Sequence, residues 1–355
     1  MHKIKDKALY VKIEKNRSEK ILRRKRRIKK IKRKKNLQES PFNPFITQKI
    51  KGKYFVEMPQ ICSLKDNHSD FVDACNEIRK LAWSKDKIDS IDFDNIRELE
   101  PSAALLLAAE ISHLKTRRKI EFLRPKPYGW DPEIKILLAQ MGFFELFDCE
   151  PPKDNVSSKM NFLKFLSGKN ATETNRTGEL RERIEKRFNR NLTSRQRQAL
   201  YEGLSEAITN TQNHAYGPAY PKNIDKWWLS AAYNPDENIL TIMILDLGKT
   251  IPKTLPKKTW YEKISHTIAL YGDGEAIKAA MKFSRTRTGK KHRGKGMSEL
   301  LHFPKSIERF QSFLTIYSGK GKYVEITKGN KTVSQKSETL NKKLKGTLIE
   351  WRVSL

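Results

Sequence analysis

Glu206, Asn210 and His214 recur every four residues in the segment EAITNTQNHAY. On a helix this spacing stacks a carboxylate, a carboxamide and an imidazole along one slowly drifting face. The set suits a magnesium–phosphate ligand with a polarised water. Two further segments carry chemistry. In LDLGKTIPKTL, Asp246 sits where a strand stops, and Gly248 lets backbone approach a flat ring closely. In GKKHRGKGMSELL, Gly289, Gly294 and Gly296 stand just before a helix, where amides freed by glycine make an anion cradle. Singly, each has a plainer reading: a solvated helix face, a turn, a surface loop. Their order and separation favour one site.

The elements that must position these residues follow from periodicity. Glu179–Asn189 reads as a helix, and Thr193 as the N-cap of a long helix over Ser194–Ala215. Trp227–Tyr233 and Ile239–Leu245, joined by NPDEN, predict a hairpin. Phe313–Tyr317, Tyr323–Lys328 and Thr347–Val353 then close a sheet. Upstream, short strands at Tyr54–Met58, Ile88–Phe93 and Lys119–Leu123 alternate with helices at Phe71–Trp83, Ser102–Leu114 and Glu133–Met141. Alternation of this kind argues for a sheet covered by helices. Between Pro151 and Gly178 the text turns polar and reads as a linker, with a short helical piece at Phe162–Leu166.

Charge is unevenly spread. Residues 1–53 hold 21 Lys/Arg against 4 Asp/Glu, more than half of the chain's net +31. Within Lys20–Lys35, 12 of 16 residues are basic and none is acidic. Arg23, Arg24, Lys25, Arg26, Arg27, Lys29, Lys30, Lys32 and Arg33 are the candidate polyanion contacts, on a segment that becomes helical only against a partner. The prolines of QESPFNPF read as a hinge. The longest apolar stretches, Ala103–Ala109 and Ile239–Leu245, fall far short of the ~20 residues that cross a bilayer. No apolar segment follows the basic start as a signal peptide requires. Three widely spaced cysteines support neither a disulfide framework nor a zinc ribbon. The expectation is a reduced, cytoplasmic protein.

With these motifs in view, the second half of the chain resembles the GHKL superfamily, the ATP-binding fold of gyrase, mismatch-repair and chaperone ATPases, sensor histidine kinases and anti-sigma serine kinases. Glu206, Asn210 and His214 match its helical motif, with the run into Ala215 and Tyr216 most similar to the anti-sigma kinases. Asp246 and Gly248 match its Asp-x-Gly-x-Gly, whose second glycine is here Thr250. Arg293, Gly294, Lys295, Gly296 and Met297 match its glycine-rich lid, and Gly346-Thr347 its closing Gly-Thr. The resemblance implies ATP and Mg2+ as cofactors. Asp246 would accept the adenine amino proton, Asn210 would hold magnesium, the lid would wrap the phosphates, and Glu206 would orient or deprotonate the attacking water.

Residues 51–150 resemble a STAS domain, the anti-sigma antagonist fold, through IDSIDFDNIRELEPSAALLLAAEI and IKILLAQMGFFELFD. Pro101 stands at the family's usual phosphoacceptor position, and Ser102 reads best as a helix N-cap, so the domain is expected to dock rather than switch. His113 lies inside the STAS-like helix and reads as a structural or surface histidine. The fold expected is therefore α/β: a basic arm (1–50), a STAS-like domain (51–150), a linker (151–177) and a GHKL two-layer sandwich (178–355). The expected partners are nucleic acid (RNA or ribosome) through residues 1–40 and a protein docking on the STAS-like domain, with a homodimer left open. Three functions stay open: an ATPase or kinase-like regulator, an anti-sigma-type serine kinase, or a nucleic-acid- or ribosome-binding protein gated by ATP.

Overall fold

A computed structural model describes residues 46–50, 53–85, 87–118, 129–151, 158–169, 175–188, 191–218, 220–255, 265–285 and 296–355. The polyanion candidates of the arm, the strand expected at Lys119–Leu123 and the lid residues Arg293, Gly294 and Lys295 lie outside them. The chain is mixed α/β, with three sheets among the described residues. No described helix is long and apolar enough to cross a membrane.

The N-terminal unit is built on strands β1 (Thr47–Ile50), β2 (Lys53–Glu57) and β4 (Lys87–Asp92). β2 runs antiparallel to β1 and parallel to β4, with Val56 opposite Ile91. Residues 47–50, expected in the arm, thus belong to the sheet, because β2 needs a backbone partner on its outer edge. A short parallel pair, β3 (Ile61–Cys62) and β5 (Glu98–Leu99), lies beside it. Helix α1 (His68–Trp83) buries Phe71, Ala74, Ile78 and Leu81, the spacing of a single apolar stripe. Helix α2 (Pro101–Arg118) is different. It is buried without a break from Pro101 to Ile111. A helix apolar all round has neighbours all round. An ion pair between Arg79 and the fully buried Glu110 ties α1 to α2. Helices α3 (Pro132–Met141), N-capped by Asp131, and α4 (Phe143–Leu146) complete the unit.

The second unit is built on one sheet of six strands. β8 (Trp227–Asn234) and β9 (Ile239–Asp246) form the expected hairpin. β10 (Gln311–Lys328) and β11 (Lys331–Ser354) form a much longer one than three separate strands would give. Register shifts at Ser318–Gly321 let it bend. The expected linker is only partly one. β6 (Asn161–Phe162) and β7 (Leu166–Gly168) both pair with β8, in place of a helical piece at Phe162–Leu166, and helix α5 starts at Asn175. The strand order is β10-β11-β9-β8-β6, with β7 also on β8. The Leu163 amide donates to the Ala231 carbonyl (2.8 Å), and the Ser230 hydroxyl to the Leu163 carbonyl (2.7 Å). The open edge of β8 selects strand, and Phe162 and Leu166 bury on it.

Helices α5 (Asn175–Phe188) and α6 (Ser194–Asn210) cover one face of this sheet, meeting Leu229, Ile242, Ile244 and Trp351. The other face, carrying Trp228, Ala232, Met243, Leu245 and Leu348, packs into the core of the N-terminal unit with Leu105 and Leu106 of α2. β8 and β9 are therefore buried nearly end to end, which is why their sequences are continuously apolar rather than alternating. The molecule is three layers deep at this point: helices, sheet, helices.

Ser102 does not cap α2. It is fully buried in the first turn, and its hydroxyl donates to the Glu350 carboxylate on β11. The second unit, docking on this helix start, claims the hydroxyl that a solvent-exposed helix would have used as a cap.

Candidate functional site

Helix α6 opens with Thr193 accepting from the Gln196 amide (3.2 Å) while the Gln196 side chain accepts from the Thr193 amide (2.9 Å), a reciprocal capping box. The helix expected to run to Ala215 keeps α-geometry only to Asn210. A single π-turn, Thr211–Ala215, follows it. The Thr211 hydroxyl donates back to the Ala207 carbonyl (3.1 Å), competing with the backbone ladder where the turn widens. Asn210 Nδ2 donates to Glu206 Oε1 at 2.7 Å, so one face carries a joined carboxylate–carboxamide pair with His214 exposed one turn further.

Asp246 ends β9 with neighbours on both sides: Trp227 of β8 and Thr347 of β11. It is 6 % exposed. Its Oδ1 accepts from the Gly248 amide at 2.8 Å, and the Thr347 amide donates to it as well. Burial pushes its carboxyl up to about 7, against the opposing pull of these amides and of Lys345. This carboxylate is desolvated and acceptor-rich. A further N–H donor would offset its burial.

Two glycines hold the site together. Gly346 has φ +79°, a left-handed conformation that favours glycine, and a β-carbon there would overlap the Asp246 carbonyl. Gly248 works differently from the expectation. Its bare Cα faces the Ala215 backbone rather than the cavity, and the Lys249 amide donates to the Ala215 carbonyl at 2.6 Å. The Leu247 amide donates to the Tyr216 hydroxyl (3.0 Å), which donates to the Lys226 carbonyl (2.7 Å). The π-turn and the loop after β9 are thus clamped to each other. Thr250 is 2 % exposed and precedes the short helix α7 (Ile251–Thr254) as its N-cap residue. Neither Gly248 nor Thr250 lines the cavity.

The cavity itself holds about 290 Å3 and is lined by Glu206, Asn210, His214, Asp246, Gly296, Met297 and Thr347, with Ile244, Leu245, Ile251, Leu255, Ala280, Leu300 and Ile349 as apolar walls. This volume lies at the small end of ligand sites, about 300–1,000 Å3. Gly296 (φ +73°) opens the 3-10 turn Gly296–Leu301, and Trp351 Nε1 donates to the Leu300 carbonyl at 2.6 Å, anchoring that turn to β11. Lys249 also lines the cavity and was not singled out in the sequence, where it is one lysine among many. Among the described residues no cluster of three or more His, Cys, Asp or Glu side chains could hold a metal.

No protein-family model matches this chain. No curated protein matches it either.

Proposed function

We propose that the cavity binds Mg-ATP and that the second unit is a GHKL-type nucleotide domain, with the N-terminal unit a STAS-like docking module. One observation carries the reading. Glu206, Asn210, His214, Asp246, Gly296, Met297 and Thr347, drawn from four separate segments, line one cavity with apolar walls. In this reading the adenine amino group donates to Asp246 at the buried end, and the apolar walls take the ring. Asn210 supplies its amide oxygen to magnesium, its nitrogen already being engaged by Glu206. Magnesium keeps several waters and takes phosphate oxygens readily, so a single protein oxygen suits it. Arg293, Gly294, Lys295 and Gly296 are the proposed phosphate contacts. Glu206 orients the attacking water.

The buried state of Ser102 bears on the choice among chemistries. An accessible hydroxyl at the start of α2 would make the two units kinase and substrate in one chain. This hydroxyl is enclosed between the units and bonded to Glu350. Phosphoryl transfer, if the domain performs it, goes to a partner protein, and ATP hydrolysis is the reading Glu206 favours. The basic arm, residues 1–40, is the proposed contact with RNA or the ribosome.

Incubation with ATP labelled at the terminal phosphate separates the readings. Free phosphate identifies an ATPase. Label on an added protein identifies a kinase, and unchanged but bound ATP a conformational clamp. Absence of nucleotide binding by the intact protein, with magnesium present, overturns the proposal.

A further inference from the structure

We infer that the folded body carries a binding surface for single-stranded nucleic acid, formed by Lys249 of the cavity lining with Lys253, Lys343 and Lys345 near it, and continued by Arg117 and Trp83 on the N-terminal unit. The surface stands on charge geometry and holds whether or not the cavity takes ATP.

Packing forces the lysines together. The Ser318 hydroxyl on β10 accepts from the Ile251 amide (2.8 Å) and bonds to the Gly346 carbonyl (3.1 Å) of β11. This node pins α7, with Lys253, against the strand that carries Lys343 and Lys345. The Lys253 ammonium is near enough to Lys343 to disfavour a second charge there. Lys249 joins from the loop after β9, its Nζ 3.4 Å from where a β-carbon on Gly217 would sit. None of the four makes an ion pair with a described residue. Lys249, Lys253 and Lys343 are exposed, and Lys345 is half-buried. Burial first, then its cationic neighbours, hold the Lys345 and Lys343 ammonium groups below their ordinary range. The carboxylates facing them are few: Asp246 towards Lys345, and Asp273 towards Lys343. Asp246 lies inside the cavity, and the Asp273 carboxylate accepts from the Lys320 amide at 2.8 Å. Positive charge crowded in this way is relieved by an anion, and four long side chains from three segments exceed what one phosphate needs.

The surface continues onto the N-terminal unit, where its chemistry changes. Burial first, then the positive charges of Arg79, Arg117 and Lys345 nearby, push His113 down to about 4 and keep it neutral. Trp83 stands edge-on to His113 (centroids 6.0 Å apart) and is 50 % exposed. The Arg117 guanidinium lies 3.9 Å from its ring centroid. An exposed indole with a cation on one face, and Lys345 near the His113 it touches, matches the platform that single strands use: aromatic rings for bases, ammonium groups for phosphates. An acidic protein would find the lysines but have no use for the indole, and a duplex would keep its bases from the ring.

The test uses the full chain and a fluorescein-labelled 20-nucleotide oligouridine, with binding followed by anisotropy across a salt series. Reversing two exposed lysines together, Lys253→Glu and Lys343→Glu, is expected to weaken binding at least ~10-fold at 0.1 M salt. The salt slope should become shallower by about 1.4, roughly 0.7 for each single-strand phosphate no longer neutralised. Trp83→Ala is expected to weaken oligouridine binding about 10-fold while leaving a duplex of equal length unaffected. Unchanged melting temperatures keep both effects assigned to the surface. An affinity and slope equal to wild type in the double variant would overturn the inference, the arm alone then carrying the strand. Polyglutamate displacing the oligonucleotide as well as unlabelled oligouridine does would also overturn it, in favour of an acidic protein.

Discussion

Gly248 and Ala215 meet backbone to backbone: a β-carbon on Gly248 would overlap the Ala215 carbonyl, which already accepts from the Lys249 amide at 2.6 Å. The end of the Glu206–Asn210–His214 helix and the loop after Asp246 are therefore tied together through their backbones. A ligand that engages Asp246 is held in fixed register with the carboxylate–carboxamide pair.

Gly248→Ala is accordingly expected to displace the π-turn, lowering stability by about 1–3 kcal/mol and nucleotide affinity with it. Gly178→Ala is the control. Nothing lies within 4 Å of a β-carbon there, and alanine in a helix should stabilise by about 0.5–1 kcal/mol. Thermal melts and nucleotide titration of the two variants read both effects.

Asp246→Asn is expected to abolish nucleotide binding while raising the melting temperature at pH 8. The sign follows from linkage. The folded-state pKa, about 7, stands above the unfolded 3.8. The folded state therefore holds an extra proton in that interval, and stability falls as pH rises through it. Asparagine removes this loss and still accepts from the Gly248 amide. A gain of order 1–3 kcal/mol at pH 8, vanishing below pH 4, is the expected melt profile.

Glu206→Gln retains an oxygen for the Asn210 amide and should bind ATP normally. If Glu206 activates water, phosphate release falls at least ~10²-fold. Asn210→Ala should instead remove the magnesium dependence of binding. Robust hydrolysis by Glu206→Gln assigns the base elsewhere.

Ser102→Asp places a carboxylate against Glu350, which burial, then Glu100, already pushes up to about 7. An unpaired buried charge beside another carboxyl is expected to cost about 3 kcal/mol or more. Mass spectrometry of protein from its native cell should find Ser102 unmodified. Stoichiometric phosphate there would make the junction between the units a switch.

Deleting residues 1–40 should weaken nucleic-acid binding about equally for every sequence. The salt slope should become shallower by roughly 0.7–0.9 for each phosphate the arm no longer neutralises. Sequence-selective binding that survives the deletion would place recognition in the folded body.

Local order was legible in the sequence. The four-residue spacing of Glu206, Asn210 and His214, the N-cap at Thr193, the apolar runs of β8 and β9 and the stripe of α1 each depend on neighbours within a turn or a hairpin, and periodicity reports such neighbours directly. The apolarity of Ala103–Ala109 and of Ile239–Leu245, broken only by Thr241, marked a strongly apolar helix and strand. What it left unsaid was the partner. That α2 packs on the far face of the second sheet is a pairing of distant surfaces, and no local pattern encodes it. The same holds for Ser102, whose capping potential yields to Glu350 lying 248 positions away. It holds for the polar text around Phe162, made strand by the open edge of β8, and for Gly248, whose missing side chain makes room for Ala215 instead of a ligand. The lysines of the proposed surface show the limit most plainly. Lys249, Lys253, Lys343 and Lys345 are unremarked among 72 basic residues until the Ser318 node folds α7 onto β11. Side-chain type and spacing determine which chemistry a segment can offer; only the closure of long loops determines which segments share one site, because that closure is driven by cores whose members lie far apart in the chain.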